Sequence, residues 1–531
     1  MTSRIEALEN AAAAFDAGDF ETHLAGLVAI PSSSQDPARA ADLGRYLQQG
    51  IGPWLDALGF HWELHPNPKP GVGPILLAER LEGEDLPIVI TYGHGDTVRG
   101  MEAQWSAGRT PWELRREQHP DGARWYGRGS ADNKGQHAIN LFALEQVLQA
   151  RGGRLGANVK LVLETGEEVG SPGLRDFVAA HAARLAADVF IASDGPRVTP
   201  TTPTLATGTR GNYHFDLVVA PRQGGVHSGH WGGLTTDPVI VLSHALACIA
   251  DRNGRILVEG WRPAPLSPEI KSMLAGCPVD MGGAAATLEP GWGEPGLSPA
   301  EKLYAWNSFI VLAMLCGAPE APANALAPRA HAHCQIRYVP QTDPETLMPA
   351  LRAHLDAAGF AEVKIENPRI GMAGSASDAN DPWVGWAVAS MARSLGHKIQ
   401  HIPATSGGMP GNVFQDHLNT TLIWIPHGHN GCQQHGPDEH LLVAAAREAV
   451  LAFAGLWWDL GTPRPQRVRR HEEGGDATRT INRTTRFPCF LRCRGGTRSE
   501  RWKTPRSMRA QRRRRRAICS PAGRCMAGRW R

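Results

Sequence analysis

The first 200 residues alternate between two hydrophobic periods. Short β-branched, apolar runs occur at LPIVITYG (86–93), ANVKLVLET (157–165) and DVFIAS (188–193). Between them lie stretches with helical spacing of apolar positions, such as GQHAINLFALEQVLQA. Apolar runs alternating with helices predict an α/β fold, a mostly parallel sheet flanked by helices. The opening MTSRIEALENAAAAFDAGDFETH has an amphipathic helix pattern with acidic residues and no signal-peptide core. From about residue 207 to 380 the pattern changes to strands YHFDLVVA, AHAHCQIRYVP and AEVKIENP with helices DPVIVLSHALACIA and PETLMPALRAHLDAAG, which read as a smaller α+β unit. NTTLIWIPHG (419–428) returns to the buried-strand pattern, and HLLVAAAREAVLAFAGLWWDLG (440–461) reads as the last helix. The expected architecture is one α/β domain in two pieces, 1–206 and 384–461, interrupted by an α+β insertion at 207–383.

Length and composition are consistent with this. A chain of 531 residues exceeds one ordinary domain, and 42% hydrophobic residues suffice for large cores. No apolar run approaches the ~18–20 residues needed to cross a bilayer, so no membrane segment is expected. Nine scattered cysteines fit a reducing compartment, and the cytoplasm is the expected location. Charge is uneven: residues 462–531 carry 22 Lys and Arg against 4 Asp and Glu, leaving 33 basic and 48 acidic residues in the first 461. This tail has no helical or strand period, and Cys489, Cys493, Cys519 and Cys525 lack zinc-site spacing. It reads as an arginine-rich nucleic-acid arm or as a disordered extension, such as an out-of-frame translation. Its few aromatic residues do not interleave the arginines with the regularity that single-strand platforms require, which favours the extension and argues against a nucleic-acid partner.

The candidate chemistry gathers at strand ends. LPIVITYG runs into His94-Gly-Asp96, ANVKLVLET into Gly166-Glu167-Glu168, DVFIAS into Asp194-Gly195, and NTTLIWIP into HGHNGCQQHGPDEH. Asp132 sits in the loop YGRGSADNKGQ. Ligands of open α/β sheets bind beyond the carboxyl ends of strands, so these groups can converge on one crevice. Any one of them is ordinary: an HxD is usually a turn, and a Glu-Glu pair usually a solvated helix start. Together they are too many acids to bury uncompensated. Imidazole and carboxylate donors suit zinc, manganese or cobalt, and their number suits two ions. His427, His429, His435 and His440 share one stretch, with His427 the rival of His435 as ligand. Cys432 beside them opens a Cys–His reading, weaker than that of an oxidisable bystander. Cys248, Cys277, Cys316 and Cys334 have no metal spacing and read as inert thiols.

The ordered set HGD, GRGSADNKG, ETGEEVGS, SDG, TRG, VHSGHWGG and a late HxxxE resembles the M20 family of metallopeptidases over about residues 20–461. The resemblance implies a zinc-peptidase-like catalytic domain with an inserted ferredoxin-like lid and dimerisation domain. It implies that His94 and Asp194 bind one metal, Glu168 and His435 the other, and that Asp132 bridges them. Asp96 would orient His94, and Glu167 would be the general base. His227, in the lid motif, would donate to the oxyanion and, in family dimers, reach the neighbouring subunit's site. Asn324 and Arg337 match lid positions that bind substrate carboxylate or backbone, although an Arg on a strand is equally often a structural ion pair. Gly407 and Gly408 match a loop closing over a carboxylate through backbone N–H groups; Met409 departs from that loop's commoner form. His230 and Trp231 can line the same pocket or pack the lid.

The expected function is therefore a two-metal hydrolase of a peptide or N-acyl amide bond in a small carboxylate-bearing substrate, in the dipeptidase or carboxypeptidase branch. The alternative is an N-acyl-amino-acid deacylase of the acetylornithine or succinyl-diaminopimelate type. A homodimer through the insertion is implied by the resemblance alone. A nucleic-acid-binding protein with a decayed hydrolase domain is the reading from another class, supported only by the tail.

Overall fold

The computed structural model describes residues 2–282 and 287–462. All of the basic tail after Thr462, with its four cysteines, lies outside the described residues.

The expected α/β fold is present. An eight-stranded sheet runs in the order His61–His65, Ile75–Arg80, Asn158–Glu164, Ile88–His94, Val189–Ala192, Thr421–Trp424, Thr204–Ala206, Gln400–Ile402. The four strands from Asn158–Glu164 to Thr421–Trp424 are mutually parallel, so their C-terminal ends open on the same side. Their apolar runs are continuous because both faces are covered. Val89, Val159, Leu161, Ile191 and Ile423 point into one core, shared with helices Arg4–Ala17, Lys134–Ala150, Pro382–Leu395 and Val443–Leu460. Ile90, Tyr92, Val162, Phe190 and Trp424 point into the other, with Phe177 and Phe414.

The amphipathic pattern at the start is not one helix. It forms Arg4–Ala17 and Asp19–Val28, broken at Gly18, whose φ of 97° is easy only for glycine. The break lets Phe15 and Phe20 stack at 5.4 Å in the first core.

Between the Thr204–Ala206 and Gln400–Ile402 strands the chain builds a second, antiparallel sheet in the order Ser308–Cys316, Ala330–Tyr338, Gly211–Val219, Lys364–Met372. Side chains alternate across it. Phe215, Leu217, Val219, Ala332, Cys334 and Ile336 pack against the helices Pro238–Ile249 and Leu347–Ala357. Asn212, His214, Asp216, His331, His333, Gln335 and Arg337 occupy the alternate positions on the same two strands, a polar set on the face away from those helices.

Candidate metal centre

His94 is the last residue of the Ile88–His94 strand and is fully buried. Its Nε2 lies 3.2 Å from Asp132 Oδ1, 3.9 Å from Asp194 Oδ2 and 4.0 Å from Glu167 Oε2. His435 stands opposite: its Nε2 is 3.2 Å from Asp132 Oδ2 and 3.1 Å from Glu168 Oε2. Two groups of potential metal ligands result, His94 with Asp132 and Asp194, and His435 with Asp132 and Glu168. Asp132 belongs to both, one oxygen facing each imidazole. His94 Nε2 is close to these carboxylates yet makes no well-directed hydrogen bond. Such near but misaligned donors are expected of ligands aimed at a common ion rather than at each other. Two imidazoles and three carboxylates, donors of mixed N and O character, suit divalent ions of the zinc type.

The acids are out of their ordinary range with only the protein's own charges around them. Burial, then the charge of Asp132, pushes Glu168 up to about 7. The same two causes raise Asp194 to about 6. Glu167 is held well above the usual carboxylate range by burial, with Asp194, Glu168 and Asp132 adding to it against His94. Burial would lower His94, but the close carboxylates of Asp132, Asp96 and Glu167 reverse this and hold it high. Excess negative charge raises Glu167, Glu168 and Asp194 and holds protons on the histidines, whose charge in turn holds Asp132 below its ordinary range; a divalent cation relieves this.

Asp96 does more than face His94. Its carboxylate accepts the backbone N–H groups of Glu167 (3.2 Å) and Glu168 (3.1 Å), fixing the turn that presents both acids. Its Oδ1 is 3.4 Å from His94 Nδ1, and its carbonyl oxygen is 3.1 Å from the same nitrogen. Glu439, quoted in the sequence only as the end of HxxxE, has a structural task. Buried, it accepts the backbone N–H groups of Gly129, Ala131 and Asp132 and pairs with Arg128 at 2.8 Å. It thereby ties the loop carrying Asp132 to the stretch carrying His435. Asn133 was not anticipated either: its Oδ1 accepts from the His94 backbone N–H (3.4 Å), and its Nδ2 donates to the Ser193 carbonyl (2.9 Å).

His427 points elsewhere. It is buried with its Nε2 2.9 Å from Ser193 Oγ and 3.2 Å from Asn140 Oδ1, and among the described residues it joins no ligand group. Burial pushes the Cys432 thiol up to about 12, and its Sγ donates to the His429 carbonyl, so no thiolate is poised there.

Above the ligands opens a cavity of about 470 Å³ lined by Asp132, Glu167, Glu168, Asp194 and His435, and by Arg337, Gly407, Gly408, Asn212 and Gln434. Arg337 pairs with no carboxylate among the described residues; its Nε donates to Gln335 Oε1 at 3.3 Å. A half-buried, unpaired guanidinium facing a cavity suits a ligand carboxylate. His227 and Asn324 do not line this cavity. They belong to an exposed segment where Val226–His227 pairs with Ala325–Leu326, and the Ser228 N–H donates to the Asn324 carbonyl. Trp231 is also exposed there.

Comparison with known proteins agrees with this arrangement. The profile of peptidase family M20/M25/M40 matches residues 90–459. The cysteinylglycine-S-conjugate dipeptidase of Corynebacterium striatum is 29% identical over 347 residues, 63% of this chain and 72% of that protein. The β-Ala-His dipeptidase of Rattus norvegicus is 32% identical over 267 residues, 48% of this chain and 51% of that enzyme, so the likeness spans only about half of the rat protein. The solved structure of the dipeptidase Dug1p from Saccharomyces cerevisiae has the same fold, with a TM-score of 0.69 at 21% identity over 86% of this chain and 99% of that one. With the profile matching from the His94 strand to the last helix, the chain belongs to peptidase family M20/M25/M40 and is a hydrolase.

Proposed function

We propose that this chain is a dinuclear metallodipeptidase. One divalent ion would be held by His94, Asp132 and Asp194, the other by Asp132, Glu168 and His435. Zinc suits the donors best, with manganese or cobalt possible. The observation that carries the reading is the position of Asp132, whose two oxygens each lie 3.2 Å from a different imidazole. Ions bound there would polarise a carbonyl oxygen and lower the pKa of water toward neutrality.

The chain's own groups do the rest. Glu167 lines the cavity beside the ligands and belongs to neither ligand group. It takes a proton from the attacking water and returns it to the leaving amine, a role suited to a buried carboxylate held above its ordinary range. Asp96 positions His94, Glu167 and Glu168 together. Arg337 and the backbone N–H groups of Gly407 and Gly408 would hold the substrate's carboxylate and set its distance from the ligands. His227 would donate to the oxyanion, with Asn324 beside it; both lie outside this chain's cavity, so they would serve a neighbouring subunit. That favours a homodimer through the 207–383 insertion, with 1–206 and 384–461 as the catalytic domain. The cytoplasm is the location this reading expects; among the described residues, no helix is long and apolar enough to cross a membrane.

The relatives named as dipeptidases favour dipeptide substrates over N-acyl amino acids. The test is metal content per chain, followed by hydrolysis of a dipeptide panel beside N-acetyl- and N-succinyl-amino acids. Two ions per chain with dipeptide cleavage supports the proposal. Cleavage of acylated amino acids alone would replace it with the deacylase reading, and a single ion would remove the bridging role of Asp132.

A further inference from the structure

On the polar face of the second sheet, well along the strands from the catalytic cavity, three side chains converge in a way the hydrolase does not use. Asp216 and His333 are directly opposite on paired strands, and His331 is two residues before His333 on the same face. Asp216 Oδ1 lies 2.7 Å from His333 Nδ1, and Asp216 Oδ2 lies 3.4 Å from His331 Nε2. The two rings are 4.1 Å apart between centroids.

We propose that Asp216, His331 and His333 form a separate cation site that takes one divalent transition-metal ion, zinc or a neighbour of similar softness.

Four observations carry this. First, the donor atoms of all three side chains lie within 4.8 Å of one another. Ligands at about 2.0–2.1 Å from a tetrahedral zinc stand roughly 3.3 Å apart, close to the 3.4 Å between Asp216 and His331; the Asp216–His333 pair, at 2.7 Å, is a hydrogen bond that the ion would replace. Second, His331 Nε2 is buried and makes no well-directed hydrogen bond although a carboxylate oxygen is 3.4 Å away. His94 Nε2 in the catalytic centre has the same character. Third, the carboxylate is held from behind. Asn367 Nδ2 donates to Asp216 Oδ2 at 2.7 Å. Asn367 sits at an irregularity where His214 pairs with Arg369 but Asp216 with Glu366, and its φ is 50°. Bulges of this kind re-aim side chains, and here the re-aimed amide fixes a ligand as outer partners do in metal sites. Fourth, the other flank is apolar: Ala313 and Leu315 pair opposite His333 and His331.

The chemistry selects the ion. Two imidazoles and one carboxylate do not suit calcium or magnesium, which take oxygen donors. Three protein ligands leave a fourth position for water. The His333 side chain is 44% exposed, so that position opens to solvent. An ion here would cross-link the Gly211–Val219 and Ala330–Tyr338 strands, whose near ends carry Asn212 and Arg337 into the catalytic cavity.

The test uses the full chain, stripped by chelator and titrated with Co²⁺. The wild type is compared with His331→Gln/His333→Gln and with Asp132→Asn. The His331→Gln/His333→Gln variant should bind one equivalent fewer than the wild type while hydrolysing dipeptides at the same rate. Asp132→Asn should keep the equivalent at Asp216, His331 and His333 while losing catalytic ones, which separates this site from the catalytic centre whatever the outcome there. Equal stoichiometry in the wild type and the double variant would overturn the proposal. If the double variant misfolds, His333→Gln alone alters only a half-exposed ring. It should weaken one Co²⁺ equivalent at least tenfold, and unchanged binding would overturn the site equally.

Discussion

Glu167 and Glu168 are neighbours in the chain with different surroundings. Glu168 reaches His435 at 3.1 Å, whereas Glu167 faces the cavity from among Asp132, Glu168 and Asp194. Replacing Glu167 by Gln removes the proton acceptor without removing a ligand. It also relieves repulsion among the acids. Glu167→Gln should therefore keep the wild-type metal content and fold at least as stably, while kcat falls roughly 10²–10⁴-fold. Metal analysis and steady-state kinetics on the same preparation check this; near-normal turnover would remove the general-base role. The acids were legible in the sequence because each follows a recognisable strand or glycine-rich loop, whereas His435 was set apart from His427, which follows its strand more directly, only by the resemblance. Glu439 and Asn133 were not, because their work consists of hydrogen bonds to backbone groups distant in sequence. The task of Asp96 was half legible: its approach to His94 was implied by the family resemblance, but its grip on the Glu167 and Glu168 N–H groups was not.

At the level of elements, the loop ahead of the Lys134–Ala150 helix is the tightest piece of backbone in the site. Gly135 N–H donates to the Gly129 carbonyl at 3.1 Å, and a Cβ on Gly135 would stand 1.9 Å from the Ser130 carbonyl oxygen. The obstacle is backbone, so no rotamer change can relieve it. Gly135→Ala should destabilise the fold by at least about 1–3 kcal/mol. It should also displace Asp132, lowering bound metal and kcat together. Thermal unfolding and metal content read the two effects, and a variant with full metal and wild-type kcat would show that the loop can yield. Strands and the long helices were readable from period alone, since their apolar runs report burial directly. The break at Gly18 was hidden because the apolar spacing continues across it. That His227 stands outside this chain's cavity accords with the resemblance, which has it reach a neighbouring subunit; the glycine-rich motif by itself does not say which cavity its side chain faces.

Across the whole molecule, several histidines are buried without a proton. Burial lowers His137 to about 3 and His401, His429 and His440 to about 4. The unfolded chain binds protons at these positions below the ordinary imidazole pKa of about 6.5, and the folded chain does not. Stability at these residues is thus full above pH ~6.5 and falls as pH drops toward the folded values. Glu164 acts in the opposite sense: burial and Asp96 raise it to about 7, so its protonation on acidification favours the folded state. A single substitution isolates one contribution from this balance. His401 lies on the Gln400–Ile402 strand with its Nε2 3.2 Å from Thr207 Oγ1, outside the metal centre. His401→Gln can keep that hydrogen bond and cannot titrate. The wild type should lose stability relative to His401→Gln by at most about 1.4 kcal/mol per pH unit between pH ~6.5 and ~4, and the two should run parallel above pH 7. Urea denaturation at pH 7.5, 6.0 and 5.0 measures the difference. Parallel curves throughout would mean that His401 gains its proton in the folded protein as readily as in the unfolded chain, and that acid sensitivity originates in the other buried imidazoles.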